Sequence, residues 1–89
     1  MPDTQASLLS FPCDFPIKVM GKTREGFAEA VVGVVRRHAP DYDPATLEMR
    51  SSRERNYLSL TFVINATSRA QLDNLYRELC GHPMVTMVL

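Results

Sequence analysis

The pattern of apolar and polar positions predicts four strands, three from alternation and the last from a short apolar run. Residues 15–21 carry apolar side chains at Phe15, Ile17 and Val19, which is the period of a half-buried strand, and Gly21 ends the segment. Residues 46–51 show a shorter alternation, and residues 84–89 are apolar except for Thr86. The clearest pattern, in residues 58–65, predicts a central strand with inward side chains at Leu58, Leu60, Phe62 and Ile64 and outward ones at Ser59, Thr61, Val63 and Asn65.

Two other segments have the 3.6-residue period of amphipathic helices. The first carries a stripe that runs from Phe27 to His38; we expect Thr23 to cap this helix and Pro40 to prevent its continuation. In the second, Ser68 and Gln71 form a capping box and Gly81 is predicted to end the helix in a left-handed conformation. The apolar stripes comprise Phe27, Val31, Val34 and Val35 in the first helix, and Leu72, Leu75, Tyr76 and Leu79 in the second.

The order strand, helix, strand, strand, helix, strand predicts an α+β fold, the ferredoxin-like βαββαβ sandwich. Its four-stranded antiparallel sheet has the order 4-1-3-2, with both helices on one face. At 89 residues the chain has room for a single core. We therefore predict an N-terminal tail at residues 1–12 and one domain at residues 13–89.

Charge and composition exclude several classes of function. Ten Lys+Arg balance ten Asp+Glu, so no net field attracts nucleic acid, and the predicted open face lacks the paired aromatic residues of RNA-binding sheets. No apolar run approaches the roughly 18 residues that a membrane span needs, and residues 1–10 lack the features of a signal peptide. We expect a cytoplasmic protein that binds neither nucleic acid nor membrane. Its cysteines, Cys13 and Cys80, are expected to be reduced and, because they lie in different layers, not bonded to each other.

The turn after the first strand is the first candidate site for a ligand. Gly21, Lys22 and Thr23 resemble the end of a phosphate-binding loop, but Pro16 stands where that motif requires its first glycine. A looser site for an anion or small ligand stays open at this turn. Acylphosphatases share the fold, and Arg24 stands near the place of their arginine, but the second strand lacks their asparagine and the glycine and glutamine loop pattern is missing.

Neither the histidines nor the other arginines form a motif of known chemistry. His38 is interpreted as the end of a helix rather than a base, and Cys80 with His82 supplies only two ligands where zinc takes three or four. We expect no metal and no cofactor. A group of arginines at the tip between the second and third strands is interpreted as solvated charge: Arg50, Arg53 and Arg55.

The two edges of the predicted sheet differ in charge. The second strand carries the charged residues Glu48 and Arg50, which oppose pairing with another chain at that edge. The fourth strand carries no charge, and its backbone could pair with another chain through Met84, Thr86 and Val88. Two explanations stay open. Either apolar residues of the N-terminal tail, Leu8, Leu9 and Phe11, cover surface near this edge or on the open face, or a partner protein binds there, which includes a second copy of the chain.

Several sequence motifs resemble the YbeD family of small bacterial cytoplasmic proteins. They are Phe11-Pro12, residues 15–21, residues 35–40, Asn56-Tyr57-Leu58-Ser59 leading to Asn65-Ala66-Thr67, and the terminal Met87-Val88-Leu89. The resemblance implies a sandwich similar to ACT regulatory domains, which bind amino acids and pair side by side, and it supplies no catalytic residues. An ACT-type ligand site would lie at Met20, Gly21, Lys22 and Thr23, with backbone amides as the binding groups.

Together these observations predict a regulatory or adaptor domain that is not an enzyme and that binds a partner protein. The first alternative is an ACT-type sensor of an amino acid or anion at the turn around Gly21. An acylphosphatase-like hydrolase is the third reading.

Overall fold

The computed structural model of the protein describes residues 10–89. Its helices and strands follow the predicted order, with a short 3-10 helix, Pro44–Thr46, between the first helix and the second strand. The elements are β1 (Cys13–Lys22), α1 (Phe27–His38), β2 (Glu48–Ser51), β3 (Tyr57–Ala66), α2 (Arg69–Cys80) and β4 (Met87–Val88).

The four strands form one antiparallel sheet in the order β2-β3-β1-β4, which confirms the predicted order 4-1-3-2. The β1–β3 ladder is the longest strand pairing in the sheet. Its ten residue pairs run from Cys13 opposite Ala66 to Lys22 opposite Tyr57. By contrast, β4 pairs with β1 only at Val19–Val88 and Met20–Met87.

Side chains from one face of the sheet and from both helices make up the core. Ile17 and Val19 of β1 and Leu60, Phe62 and Ile64 of β3 are almost fully buried, as their alternation predicts. The apolar stripes of the helices close over them with Phe27, Val31, Val34, Val35, Leu72, Leu75 and Leu79. Within residues 10–89 the other face of the sheet carries no helix, and we call it the open sheet face.

The prediction that Thr23 caps α1 is wrong. Strand β1 continues to Lys22, and the Thr23 amide donates to Asn56 O at 2.9 Å, so Thr23 extends the pairing with β3. The helix begins only at Phe27, after Gly26, whose φ of 84° makes a turn that no side chain caps.

Helix α2 begins as predicted and ends differently. The Ser68 hydroxyl accepts a hydrogen bond from the Gln71 amide at 3.1 Å, which confirms this half of the capping box. Gly81 does not adopt the predicted left-handed conformation: its φ is −89°, and its amide donates to Arg77 O to close the last turn. A glycine at this position is therefore not required by backbone geometry.

The fourth strand is shorter than residues 84–89. A turn occupies the start of this segment, in which the Val85 amide donates to His82 O at 3.1 Å and the Met84 amide donates to His82 Nδ1 at 3.1 Å. Because Pro83 and these local hydrogen bonds hold the backbone in a turn, only Met87 and Val88 are extended in register with β1.

Candidate functional site

The residues predicted to form a ligand-binding turn lie within strand β1 or directly after it. Met20, Gly21 and Lys22 are strand residues, and their backbone is part of the sheet: Met20 O accepts from the Thr86 amide at 2.8 Å. The Thr23 amide is taken by Asn56 O. Amide recognition of the ACT type at these four residues stays a prediction, and at least the Thr23 amide is already hydrogen-bonded within the chain.

Gly21 is packed against its own chain rather than open to a ligand. It is buried, and a Cβ added there would lie 2.7 Å from the ring of Phe27 and closer still to Met84 O. The glycine therefore serves the close approach of β1, α1 and the segment before β4.

Lys22 and Thr23 border a groove that sequence reasoning did not find. The groove has a volume of about 440 Å³, and its other walls come from the β2–β3 hairpin: Arg55, Asn56 and Tyr57. Register explains why these residues meet, since Lys22 pairs with Tyr57 and Thr23 is bonded to Asn56. We call these five residues the hairpin groove.

The predicted arginine group divides between two places. Arg50 lies opposite Ser59 in the sheet and, with Glu48 and Lys18, lines a depression of about 290 Å³ on the open sheet face. Arg55 lies in the hairpin groove, and Arg53 lines neither feature. The tip is therefore not one anion clamp.

Several large apolar side chains are exposed on the open sheet face near the β1–β4 edge. Val63 of β3 is 49% exposed, Met87 of β4 is 50% exposed, and Leu89 is 62% exposed. Leu89 exchanges two backbone hydrogen bonds with Lys18, at 2.8 and 3.2 Å, so the two side chains lie on the same face. We define the apolar patch as Pro16, Met20, Val63, Met87 and Leu89, which lie next to Lys18 in the register of the sheet, whereas the residue directly opposite Lys18 on β3 is the polar Thr61.

The residues predicted for pairing at the fourth strand do not share one exposed surface. Met84 is half-buried against the core, and Val88 lies opposite Val19 on the helix-covered face. Thr86 is exposed, but its amide donates to Met20 O. The exposed large apolar side chains near this edge are those of Met87 and Leu89. A segment that is apolar except for Thr86 gave no means of predicting which of its apolar side chains would be exposed.

The interpretation of His38 as a helix end agrees with its contacts. Its Nε2 lies 2.7 Å from Glu78 Oε1, and Glu78 also pairs with Arg37. Its carbonyl accepts from Gln71 Nε2 at 2.8 Å. These groups join the end of α1 to α2.

The remaining candidate groups show no clustering. Cys13 and Cys80 are free thiols, and within residues 10–89 no three His, Cys, Asp or Glu side chains come together as metal ligands would. Burial, and secondarily the charge of nearby Cys80, raises the pKa of Tyr76 above its ordinary value of 10.0. The helices of the described part of the chain are all too short and too polar to cross a bilayer.

Solved structures share the fold. The solution structure of protein HP0495 from H. pylori is 13% identical, covers 100% of this chain and 94% of that chain, and superposes with a TM-score of 0.76. The ACT domain from GTP pyrophosphokinase of Chlorobium tepidum, in solution, is 19% identical over 85% of this chain and 84% of that chain, with a TM-score of 0.64. These likenesses show a ferredoxin-like, ACT-like fold.

Sequence relatives are much closer. The UPF0250 protein of Nitrosomonas europaea is 59% identical over 86 residues, covering 97% of this chain and 99% of the relative. That of Bordetella pertussis is 56% identical over 85 residues, covering 96% and 93%, and that of Paraburkholderia phytofirmans is 52% identical over 89 residues, covering 100% of both. The family model described as "Protein of unknown function (DUF493)" matches residues 6–89. The chain therefore belongs to the DUF493 family, with UPF0250 proteins as its relatives, and the resemblance to the YbeD family is confirmed.

Proposed function

We propose that this protein is a cytoplasmic adaptor domain, not an enzyme, that binds a partner protein through the apolar patch on its open sheet face. The observation that carries the proposal is the exposure of Val63, Met87 and Leu89 around Lys18. Sheet faces that carry several large exposed apolar side chains are typical of interaction surfaces.

Lys18 determines what chemistry the partner must offer. Its side chain is exposed, and within residues 10–89 no carboxylate lies within ion-pair distance of it. A partner that covers the apolar patch must also desolvate this ammonium group, which is costly unless a carboxylate pairs with it. The partner proposed is therefore a protein with an Asp or Glu side chain set within an apolar surface.

The sheet edge at β4 supports backbone pairing less well. The regular strand is two residues long, and the Thr86 and Leu89 amides donate to Met20 O and Lys18 O. Since alternate residues of a strand direct their backbone groups to opposite sides, Val88 is left as the residue whose amide and carbonyl face away from β1. Side chains on the face, rather than amides on the edge, offer the larger surface.

The test is an affinity purification with the intact chain and four variants, after thermal unfolding has been used to check that each variant is folded. Val63→Asp places a charge in the apolar patch, and Asn65→Asp places the same charge two residues along the same strand and face. Lys18→Glu reverses the charge next to the patch, and Arg36→Glu makes the same change at an exposed position of helix α1. We expect one protein to be lost with Val63→Asp and Lys18→Glu and retained with both controls, and the purified pair to bind more weakly as salt rises.

Several results would contradict the proposal. If both patch variants retain every co-purified protein, the patch is not the binding surface. If the co-purified protein is also lost with the control variants, the effect of the added charge is nonspecific. A wild-type dimer that Val63→Asp dissociates would assign the face to a second copy of the chain. Turnover of an acyl phosphate that Arg24→Ala abolishes would contradict a role without catalysis.

A thermal-shift panel separates this proposal from an ACT-type sensor. A ligand that binds only the folded state adds ~2.7 kcal/mol of stability at about one hundred times its dissociation constant. Stabilisation by a free amino acid on that scale would favour the sensor.

A further inference from the structure

The hairpin groove combines two cationic side chains with an exposed aromatic ring. Lys22 and Arg55 are both exposed and both line the groove, and the Tyr57 side chain opposite Lys22 is 42% exposed. Thr23 adds a hydroxyl and Asn56 an amide. Its volume of about 440 Å³ falls within the range of sites for small molecules.

One carboxylate, that of Glu54, lies beside the groove, but it forms no ion pair with either cation of the groove. Among the described residues neither Lys22 nor Arg55 forms an ion pair. The nearest acidic residue in sequence is Glu54, whose Oε1 accepts from Asn56 Nδ2 at 3.4 Å, and Glu54 does not line the groove. Both cations line the same groove, and lysine and arginine side chains are common ligands of phosphate groups.

The backbone of Arg55 is in a conformation that a different residue would adopt more easily. Its φ is 62°, and within residues 10–89 it is the one non-glycine residue with positive φ. Hydrogen bonds fix this shape: the Arg55 amide donates to Ser52 O at 2.9 Å and the Ser52 amide to Tyr57 O at 2.8 Å. Glycine or asparagine is the usual residue at a left-handed position, so arginine here has a backbone conformation that is costly for its residue type.

We propose that the hairpin groove binds a small molecule that joins a phosphate group to a flat ring, as nucleoside monophosphates do. Lys22 and Arg55 hold the phosphate, with the Thr23 hydroxyl as a further donor, and the ring lies against Tyr57. This site is separate from the apolar patch and does not depend on the adaptor role.

The experiment titrates the full chain with AMP, GMP, adenosine and inorganic phosphate, and follows backbone amide shifts by NMR. AMP and GMP are expected to shift the amides of residues 22, 23 and 55–57. Phosphate alone is expected to shift fewer of them and bind more weakly, and adenosine weakest of all. Absence of shifts with AMP, GMP and phosphate up to ~10 mM, or shifts confined to another surface, would overturn the proposal.

Arg55→Gly is the decisive variant because stability and binding are expected to change in opposite directions. Relief of the left-handed backbone is expected to raise the melting temperature by roughly 2 to 5 °C, while AMP affinity falls roughly 10- to 100-fold. Lys22→Gln is expected to weaken AMP by a similar factor. Arg53→Gln, on the same hairpin but outside the groove, is the control and is expected to stay within about twofold of the wild type.

Other outcomes would overturn the assignment. Unchanged AMP affinity in Arg55→Gly would show that Arg55 does not hold the phosphate. An equal loss in Arg53→Gln would mean that general positive charge, rather than the groove, attracts phosphate. An Arg55→Gly protein that melts below the wild type would remove the argument from backbone strain. Tyr57→Leu tests the ring: AMP affinity is expected to fall while phosphate affinity is unchanged, and equal effects on both would exclude stacking.

Discussion

Glu78 Oε1 lies 2.7 Å from His38 Nε2, and the other oxygen of the same carboxylate pairs with Arg37. One side chain near the end of α2 therefore holds two consecutive residues in the last turn of α1. Positive side chains in that turn also suit the dipole of α1, and the contact with Glu78 joins the last turns of the two helices.

Glu78→Gln is expected to lower the free energy of unfolding by about 1 kcal/mol, because the Arg37 guanidinium loses its ion-pair partner and His38 Nε2 loses a carboxylate as its hydrogen-bond partner. The matched control is Asp73→Asn, which disrupts the exposed pair between Arg69 Nε and Asp73 Oδ1 at 3.5 Å. That change is expected to cost no more than about 0.5 kcal/mol. Urea unfolding at neutral pH measures both, and equal losses would show that the link between helices adds nothing beyond surface charge.

Gly21→Ala is expected to destabilise the fold by roughly 2 kcal/mol or more, since its Cβ would overlap the Phe27 ring and the Met84 carbonyl. Gly33→Ala provides the contrast. Gly33 lies in α1 with no atom within 4 Å of an added Cβ, so alanine there is expected to stabilise by about 0.5 to 1 kcal/mol. The melting temperature is expected to fall in Gly21→Ala and to rise in Gly33→Ala. An unchanged melting temperature in Gly21→Ala would contradict the close packing around Gly21.

Ser68→Ala is expected to cost about 1 kcal/mol, because the Ser68 hydroxyl accepts from the Gln71 amide at the start of α2. Thr23→Ala is expected to change stability by less than about 0.5 kcal/mol, because Thr23 contributes its amide and not its side chain to the fold. The sequence pattern alone predicts similar losses for both caps. Denaturation of the two variants therefore distinguishes the structure from the pattern, and a large loss with Thr23→Ala would favour the cap.

Tyr76 gives the fold a dependence on alkaline pH. Its pKa in the folded protein is raised above 10.0 by burial first and by Cys80 second, so the folded state favours the protonated phenol. The resulting stability is fully present below pH 10 and is lost as pH rises through the raised value.

Tyr76→Phe keeps the edge-to-face contact with Phe15, whose ring centroid lies 6.5 Å from that of Tyr76, and removes the titrating group. Urea unfolding at pH 8, 9.5 and 11 measures the free energy of unfolding. As pH rises, this free energy is expected to fall less in the variant than in the wild type. Because lysines titrate equally in both proteins, the difference isolates Tyr76. Parallel losses would contradict the assignment.

Local periodicity was enough to determine the architecture. The alternation in residues 58–65 and the stripes beginning at Phe27 and Leu72 specify which side chains face the core, because a strand or helix can bury only one face in a two-layer sandwich. Sheet order then follows from the handedness of the two crossovers. The ends of helices were less well determined. Thr23 has the residue type of a helix cap, but its amide is paired with Asn56 O beyond the end of β1. Gly81 has the residue type of a left-handed stop, but its φ is −89°.

Surface sites depended on tertiary structure. Residues 84–89 are almost uniformly apolar, so the sequence carries no alternation to tell that Met87 and Leu89, rather than Val88, face the open side; only their register with β1 decides it. Likewise, Lys22 and Arg55 are more than thirty residues apart and come together because antiparallel pairing of β1 with β3 places Lys22 opposite Tyr57. The sequence determines burial through local periodicity, whereas a groove or patch forms only where residues distant in sequence are brought together by strand pairing.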